Sequence, residues 1–146
     1  GKLVYWSCGV DTGWGARVGA AQAFRSFRGI DDLVDALSAA LRSHDRPTYF
    51  SIDKDVFAPE VVRTNWDQGR MREEEAMHII DALRGQLAGS DITGDVSSWR
   101  YATWWKRWMS AGDGQDTAIG AATLADWQAG QHALNLRLVE QLRTCP

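Results

Sequence analysis

Cysteine, proline and histidine are all scarce in this sequence of 146 residues, which has two, three and three of them respectively. Cys8 and Cys145 match no metal-binding spacing, and a chain with so few cysteines is typical of a cytoplasmic protein with reduced thiols. His44, His78 and His132 lie apart, with no acidic residue two positions further on. Each is therefore interpreted as a structural histidine rather than a metal ligand.

Long apolar runs and a large excess of one charge are also missing. No stretch approaches the roughly 20 apolar residues that cross a bilayer, and the first residues do not resemble a signal peptide. The formal net charge is −3, which gives no reason to expect binding to nucleic acid or to an anionic membrane. With 45% hydrophobic and 24% charged residues, the composition is that of a globular protein.

The sequence starts at Gly1 and enters a short apolar and aromatic run at residues 3–8, which predicts a buried strand. A chain that begins inside a core strand is typical of a fragment or a trimmed product. Glycines between residues 9 and 19 then predict an irregular loop. Their spacing is not G-x-G-x-x-G and no Lys-Ser/Thr pair follows, so this loop is not expected to bind phosphate.

The remainder of the chain alternates between helices and strands. Apolar residues at helical spacing predict three helices, over residues 31–43, 72–87 and 117–142. Gly89 is predicted to end the second of them, and short apolar runs predict strands over 48–53 and 91–97. This order favours a single α/β domain over residues 1–146, with a parallel sheet and right-handed crossovers.

Two aspartates, Asp53 and Asp55, stand at the end of the predicted strand over 48–53. In an extended chain, residues two apart point to the same face, so both carboxylates are expected to project together while Lys54 points away. Ligands of open α/β sheets bind at the carboxyl ends of the strands. Two ionised carboxylates repel unless a cation or a proton intervenes, and Mg²⁺ or Mn²⁺ suits oxygen ligands. The alternative is a solvated pair that caps a turn or pairs with basic groups.

Residues 51–59, Ser-Ile-Asp-Lys-Asp-Val-Phe-Ala-Pro, resemble the metal-binding signature S-x-D-x-D-x-x-D-P of the arginase/agmatinase (ureohydrolase-like) family. Further matches fall where that family has a threonine, a glycine, a helix-opening glutamate, an acidic residue before valine, and a D-x-T-A segment. They are Thr64, Gly69, Glu74, Asp95-Val96-Ser97 and Asp116-Thr117-Ala118. The resemblance is firmest over residues 47–97.

The resemblance implies a three-layer α/β fold of the arginase/deacetylase type, present here as its C-terminal portion. It also implies a hydrolase of a linear C–N bond in a guanidino or amidino compound, with two Mn²⁺ ions bridged by the attacking hydroxide. If the roles of the family's residues are carried over position by position, Asp53 would bridge both ions and Asp55 would bind one of them. These two aspartates would be the catalytic and metal-binding residues. Asp95 would face the cationic substrate. Trp66 and Asp67, a short loop away from Asp53, would contribute to its binding site.

The sequence also departs from the family pattern. The aspartate of the D-P pair is Ala58 here, Lys54 is an unusual residue between the two ligands, and Asp95 replaces a glutamate. The family's G-G-D-H and D-A-H-x-D motifs, which supply the other ligands, do not occur in this sequence. Because two carboxylates cannot saturate two metal ions, the chain is expected to hold half a site. The expected partners are a cationic small molecule and a complementing N-terminal half or further copies of the chain.

Eight tryptophans are many for this length, and several lie in an aromatic and basic segment at residues 99–108. Trp104 and Trp108 share a helical face, which favours packing of large aromatic side chains. The alternative is a stacking surface for a ring, a sugar or a partner, or a cation–π cage. For the whole chain, the rival to the hydrolase is a non-catalytic binding or structural module that keeps the fold and has lost the full metal site.

Overall fold

The computed structural model describes residues 5–8, 17, 19, 24–43, 46–112 and 118–145. Within these ranges the chain forms four strands, β1 Tyr5–Cys8, β2 Phe24–Phe27, β3 Thr48–Asp53 and β4 Leu87–Thr93. It also forms four α-helices, α1 Ile30–Arg42, α2 Glu73–Ala82, α3 Trp104–Gly112 and α4 Ala121–Arg143. A short 3₁₀ turn, Lys54–Val56, follows β3. The described part is mixed α/β, as the sequence predicts.

All of the paired strands are parallel. β1 pairs with β2, and β3 pairs with β4, so the described strands form two two-stranded parallel sheets. The parallel arrangement is predicted from the alternation of strands and helices, and β3 has the bounds predicted for it. β2, with the short sequence Phe-Arg-Ser-Phe, was not predicted.

The second predicted helix is wrong at its C-terminal end. Three glutamates in the first turn of α2 favour its start, and the backbone N–H of Arg72 donates to Glu75 Oε2 over 2.7 Å. α2 ends at Ala82, however, and Gly85 turns the chain with φ of +79°. Gly89 therefore lies inside β4 and does not end a helix. Apolar residues at helical spacing continue through residue 87, but the hydrogen bonds between β3 and β4 decide the conformation of that residue.

The strand predicted over residues 91–97 lies four positions too late, since β4 runs over Leu87–Thr93. Residue 94 ends the strand because Gly94 has φ of +79°, a left-handed conformation that does not extend a sheet. The last helix was predicted over 117–142, but α4 runs over Ala121–Arg143, since residues 118–120 are not helical and Gly120 has an extended conformation. The strand predicted over 3–8 is present as Tyr5–Cys8, with residues 3 and 4 outside the described residues.

Helix α2 lies between α1 and α4 and contributes to two apolar clusters. Its Ile79 packs with Leu33 and Val34 of α1. Ala76 and Ile80, on the opposite flank, pack in a second cluster with α4 and with the end of β3; the buried residues of that cluster are Ile52, Phe57, Val62, Ala76, Ile80, Leu134, Leu138, Leu142 and Cys145. Since Ile52 and Phe57 bracket the 3₁₀ turn, this core fixes the end of β3 in place.

An ion pair on the surface joins α2 to α4. Arg137 donates to both carboxylate oxygens of Glu73, over 2.5 and 2.8 Å.

Among the described residues, no helix combines the length and the apolar character that a membrane span requires.

Candidate functional site

Asp53 and Asp55 lie where β3 ends. Asp53 is the last residue of the strand, and Asp55 is in the 3₁₀ turn that follows. The Asp53 side chain caps this turn, since its Oδ1 accepts the backbone N–H of Asp55 over 3.3 Å. The extended chain predicted through residue 55 is therefore wrong. The two aspartates are neighbours because the strand closes into a capped turn.

Asp55 is a half-buried carboxylate with an unsatisfied oxygen. Its Oδ1 is buried and has no hydrogen-bond partner among the described residues. Burial raises the pKa of Asp55 above its ordinary value, a hydrogen bond with Thr64 lowers it, the charge of Asp53 raises it, and that of Lys54 lowers it. A buried carboxylate oxygen without a donor is costly, and a bound cation would satisfy it.

The raised pKa of Asp55 predicts a dependence of stability on pH. A carboxyl group whose pKa is higher in the folded state binds more protons there, so its contribution to stability falls as the pH rises through that pKa. In metal-free buffer, Asp55→Asn is therefore expected to be more stable than the parent chain at about pH 7, with a difference that shrinks toward about pH 4. Urea unfolding of both chains across this range measures it, and a difference independent of pH would contradict the prediction.

The loop over residues 64–71 holds the turn from outside. The backbone N–H of Gly69 donates to the carbonyl of Asp55 over 2.6 Å, and that of Met71 donates to the carbonyl of Val56 over 3.0 Å. A Cβ on Gly69 would collide with the Val56 backbone, so only glycine allows this approach. Thr64 reaches the Asp55 carboxylate from the same loop. Thr64 and Gly69, two of the positions that carry the family resemblance, thus both contact Asp55.

Lys54 points into the protein, away from solvent. Its side chain is fully buried, and Nζ donates to Asp95 and to Asn135 Oδ1, the latter over 3.2 Å. Asp95 follows β4 and Asn135 lies on α4, so a single ammonium links the ends of β3 and β4 to a helix. The sequence shows Lys54 as an unusual residue between two ligands, but it gives no sign of the Asn135 contact, which spans 81 positions.

Gly94 brings the end of β4 against the candidate ligands. A Cβ at this residue would overlap Asp53 Oδ1 and would lie 2.8 Å from the backbone nitrogen of Lys54. Its φ of +79° also favours glycine. Sequence reasoning missed Gly94. The signal was its place directly before Asp95, at the end of a strand parallel to β3.

Trp66 and Asp67 lie on the loop over 64–71, as the sequence places them. Trp66 is partly buried and contributes to a cavity of about 270 Å³; the other residues that line it are Tyr101, Trp105, Lys106, Met109 and Ser110. Asp67 is exposed. None of the three candidate aspartates Asp53, Asp55 and Asp95 lines this cavity.

Residues 104–108 of the aromatic segment lie in α3, and the tryptophans of this helix face outward. Trp104 and Trp108 share a face, as predicted, but they are 72% and 75% exposed. Together with Trp105 and Met109 they line a shallow apolar cavity of about 390 Å³. The predicted packing of these side chains is therefore not found among the residues that the structure describes. Asp116 and Thr117, which carry part of the family resemblance, and His44 lie outside the described residues.

Asp53 and Asp55 stand without a third ligand in the described part of the chain. There, no group of three or more His, Cys, Asp and Glu side chains is arranged to hold a metal ion. Two carboxylate groups suit a hard divalent cation but leave most of its coordination positions to other donors.

Comparison with known proteins identified no relative of this chain. No protein-family model, no curated protein and no solved structure matches this chain. The function proposed below therefore rests on the geometry around Asp53 and Asp55 and on the motif resemblance of residues 51–59.

Proposed function

We propose that this chain provides part of the active site of a manganese-dependent hydrolase that cleaves a linear C–N bond, of the arginase/agmatinase type. One observation carries the proposal: the buried, unsatisfied Oδ1 of Asp55 lies beside the capping carboxylate of Asp53 at the carboxyl end of a parallel strand. The S-x-D-x-D motif over residues 51–55 supports it. The three-layer arginase/deacetylase fold, with this chain as its C-terminal portion, belongs to the same proposal.

The residues present fit a metal ion in part. Asp53 and Asp55 would hold Mn²⁺ through hard carboxylate oxygens, and the ordered turn would position them. The remaining donors would come from outside the described residues, from a complementing N-terminal half or from another copy of the chain. When bound, the ions would lower the pKa of a water molecule and so provide a nucleophile at neutral pH.

The chain's own residues would prepare this site in three ways. The loop over 64–71 holds Asp55 through Thr64 and Gly69. Gly94 lets β4 approach Asp53, and Asp95, the next residue, would be the substrate-facing carboxylate that the resemblance implies. Trp66 and Asp67 would lie at the substrate side of the loop. The resemblance suggests a cationic guanidino or amidino group as the substrate. The net charge of −3 and the lack of long apolar runs give no reason to expect nucleic acid or a membrane as a partner, and the scarcity of cysteine suggests a cytoplasmic protein.

A thermal melt with and without Mn²⁺ tests the proposal. Binding to the folded state stabilises it by mass action, so Mn²⁺ at ten times its dissociation constant should add about 1.4 kcal/mol. For a chain of this size, that stabilisation raises the midpoint by roughly 3–6 °C. The double variant Asp53→Ala/Asp55→Ala should lose this rise, since it lacks both carboxylates.

Asp126→Ala provides the matched control, because it removes an exposed aspartate on α4, far along the chain from the turn. This variant should keep the response of the parent chain. An equal rise in the parent and in the double variant would mean that Mn²⁺ binds elsewhere and would refute the proposed site.

The second candidate is a non-catalytic binding or structural module. The exposed aromatic face of α3 favours it, since Trp104 and Trp108 present large apolar surfaces to solvent. So does the absence of a third metal ligand among the described residues. If the parent chain gains no stability from Mn²⁺, the module replaces the hydrolase as the better interpretation.

A further inference from the structure

Lys54, which stands between the two candidate metal ligands in the sequence, has a buried side chain. Its side chain has no exposed surface, whereas the side chain of its partner Asp95 is 70% exposed. The ammonium therefore reaches the Asp95 carboxylate from the protein side and leaves the solvent side of that carboxylate open. A ligand can approach Asp95 there, but it meets a carboxylate that already accepts a charge-assisted hydrogen bond.

The ammonium is fixed in this position. Its stem is enclosed by the core, and Nζ also donates to Asn135 Oδ1 over 3.2 Å. An exposed lysine could swing away when a cationic ligand arrived, but Lys54 has no solvent-filled space to enter. Any cation bound at Asp95 would share the carboxylate with the ammonium of Lys54, and repulsion between like charges is an effective means of rejecting a ligand.

We infer that Lys54 makes the Asp95 position select electrically neutral N–H donors, such as the N–H groups of an amide or a urea, over a guanidinium. The open side of the Asp95 carboxylate accepts a hydrogen bond from such a group without bringing a second cation to it. This inference rests on the proposed function, a hydrolase of a linear C–N bond, and it replaces the cationic guanidino substrate that the resemblance suggests with a neutral compound. Lys54 acts here as a residue that determines specificity and not as a metal ligand.

The test compares two probes of nearly the same shape, N-methylurea and methylguanidinium. Both are titrated into the ¹⁵N-labelled, metal-free chain, and binding is followed through the amide signals of Gly94 and Asp95. The parent chain should bind N-methylurea at least as tightly as methylguanidinium. Lys54→Met keeps the length of the side chain and removes its charge, so it should shift the ratio of the two dissociation constants about tenfold toward methylguanidinium, or about 1.4 kcal/mol.

Arg143→Gln is the control for net charge, because it removes an exposed cation at the end of α4 and should leave the ratio unchanged. Asp95→Asn retains Lys54 and provides a second variant should Lys54→Met fail to fold. Since it replaces the accepting carboxylate, it should weaken the binding of N-methylurea severalfold.

Several results would overturn the inference: a tenfold preference of the parent chain for methylguanidinium, an unchanged ratio in folded Lys54→Met, or no binding of either probe near Asp95. The Mn²⁺ melt separates this inference from the proposed function. A Mn²⁺ response that requires Asp53 and Asp55, together with an unchanged probe ratio, overturns the inference alone. The expected probe ratio without any Mn²⁺ response refutes the hydrolase and supports charge selection at Asp95.

Discussion

Gly94→Ala is expected to lower the free energy of unfolding by about 3 kcal/mol. Two costs combine in this variant. The φ of +79° is a conformation that side chains with a Cβ rarely adopt, and the new methyl group would overlap Asp53 Oδ1 and the backbone at Lys54. Because the backbone contact cannot be relieved by rotating a side chain, either the end of β4 or the turn after β3 has to move. Urea unfolding of the variant and the parent chain measures the loss.

Gly85→Ala is the matched control, since Gly85 has the same φ of +79° and a Cβ there would meet nothing within 4 Å. It carries the conformational cost alone and should lower the free energy of unfolding by about 1 kcal/mol. The difference between the two variants isolates the contact of Gly94 with the turn. Equal losses in both would contradict the close approach of β4 to Asp53.

Lys54→Ala is expected to cost about 3 kcal/mol, because it empties the volume of a long, fully buried side chain in a packed region. Lys54→Met should cost less than about 1 kcal/mol, since it fills most of that volume and removes a charge that is expensive to bury. The partner carboxylate of Asp95 is 70% exposed and remains solvated after the loss of the ammonium. The ion pair thus contributes little to stability, and the apolar stem contributes most.

Urea unfolding of the two lysine variants at neutral pH checks this difference. Met77→Ala on α2 gives a reference for shortening a partly buried, unbranched side chain that packs against the apolar cluster around Ile52 and Phe57. If Lys54→Met lowered the free energy of unfolding as much as Lys54→Ala, the apolar stem would not be the main contribution of Lys54 to stability. Such a result would show that the charge of Lys54 holds the ends of β3 and β4 together.

Local patterns predicted several elements well. The apolar run before Asp53 gives β3 its observed bounds, because the core requires that stretch whatever its partners are. α1 begins one residue before its predicted start, at Ile30, with two aspartates in its first turn where the helix dipole favours them. In both cases the residues that decide the element lie close together in the sequence, so the element can be predicted without knowledge of distant contacts.

Other features failed because distant residues decide them. The helical apolar pattern of the preceding segment continues through Leu87, but pairing with Thr48 places this residue in a strand. The chain after Asp53 was expected to stay extended, but the capped turn and the loop over 64–71 close it. The exposure of the α3 tryptophans likewise depends on what lies beside that helix, which periodicity does not encode.

The sequence by itself determined that cysteine and histidine are scarce and that long apolar runs are missing. It also determined that Asp53 and Asp55 follow an apolar strand. The alternation of predicted strands and helices already indicates a mixed α/β protein, and the aspartates indicate paired carboxylates at the end of a strand. Only the tertiary structure decided that the Asp55 carboxylate has an unsatisfied oxygen and that Lys54 lies buried between Asp95 and Asn135. The physical reason is that burial and charge pairing arise from segments 41 and 81 positions away, which the folded core brings together.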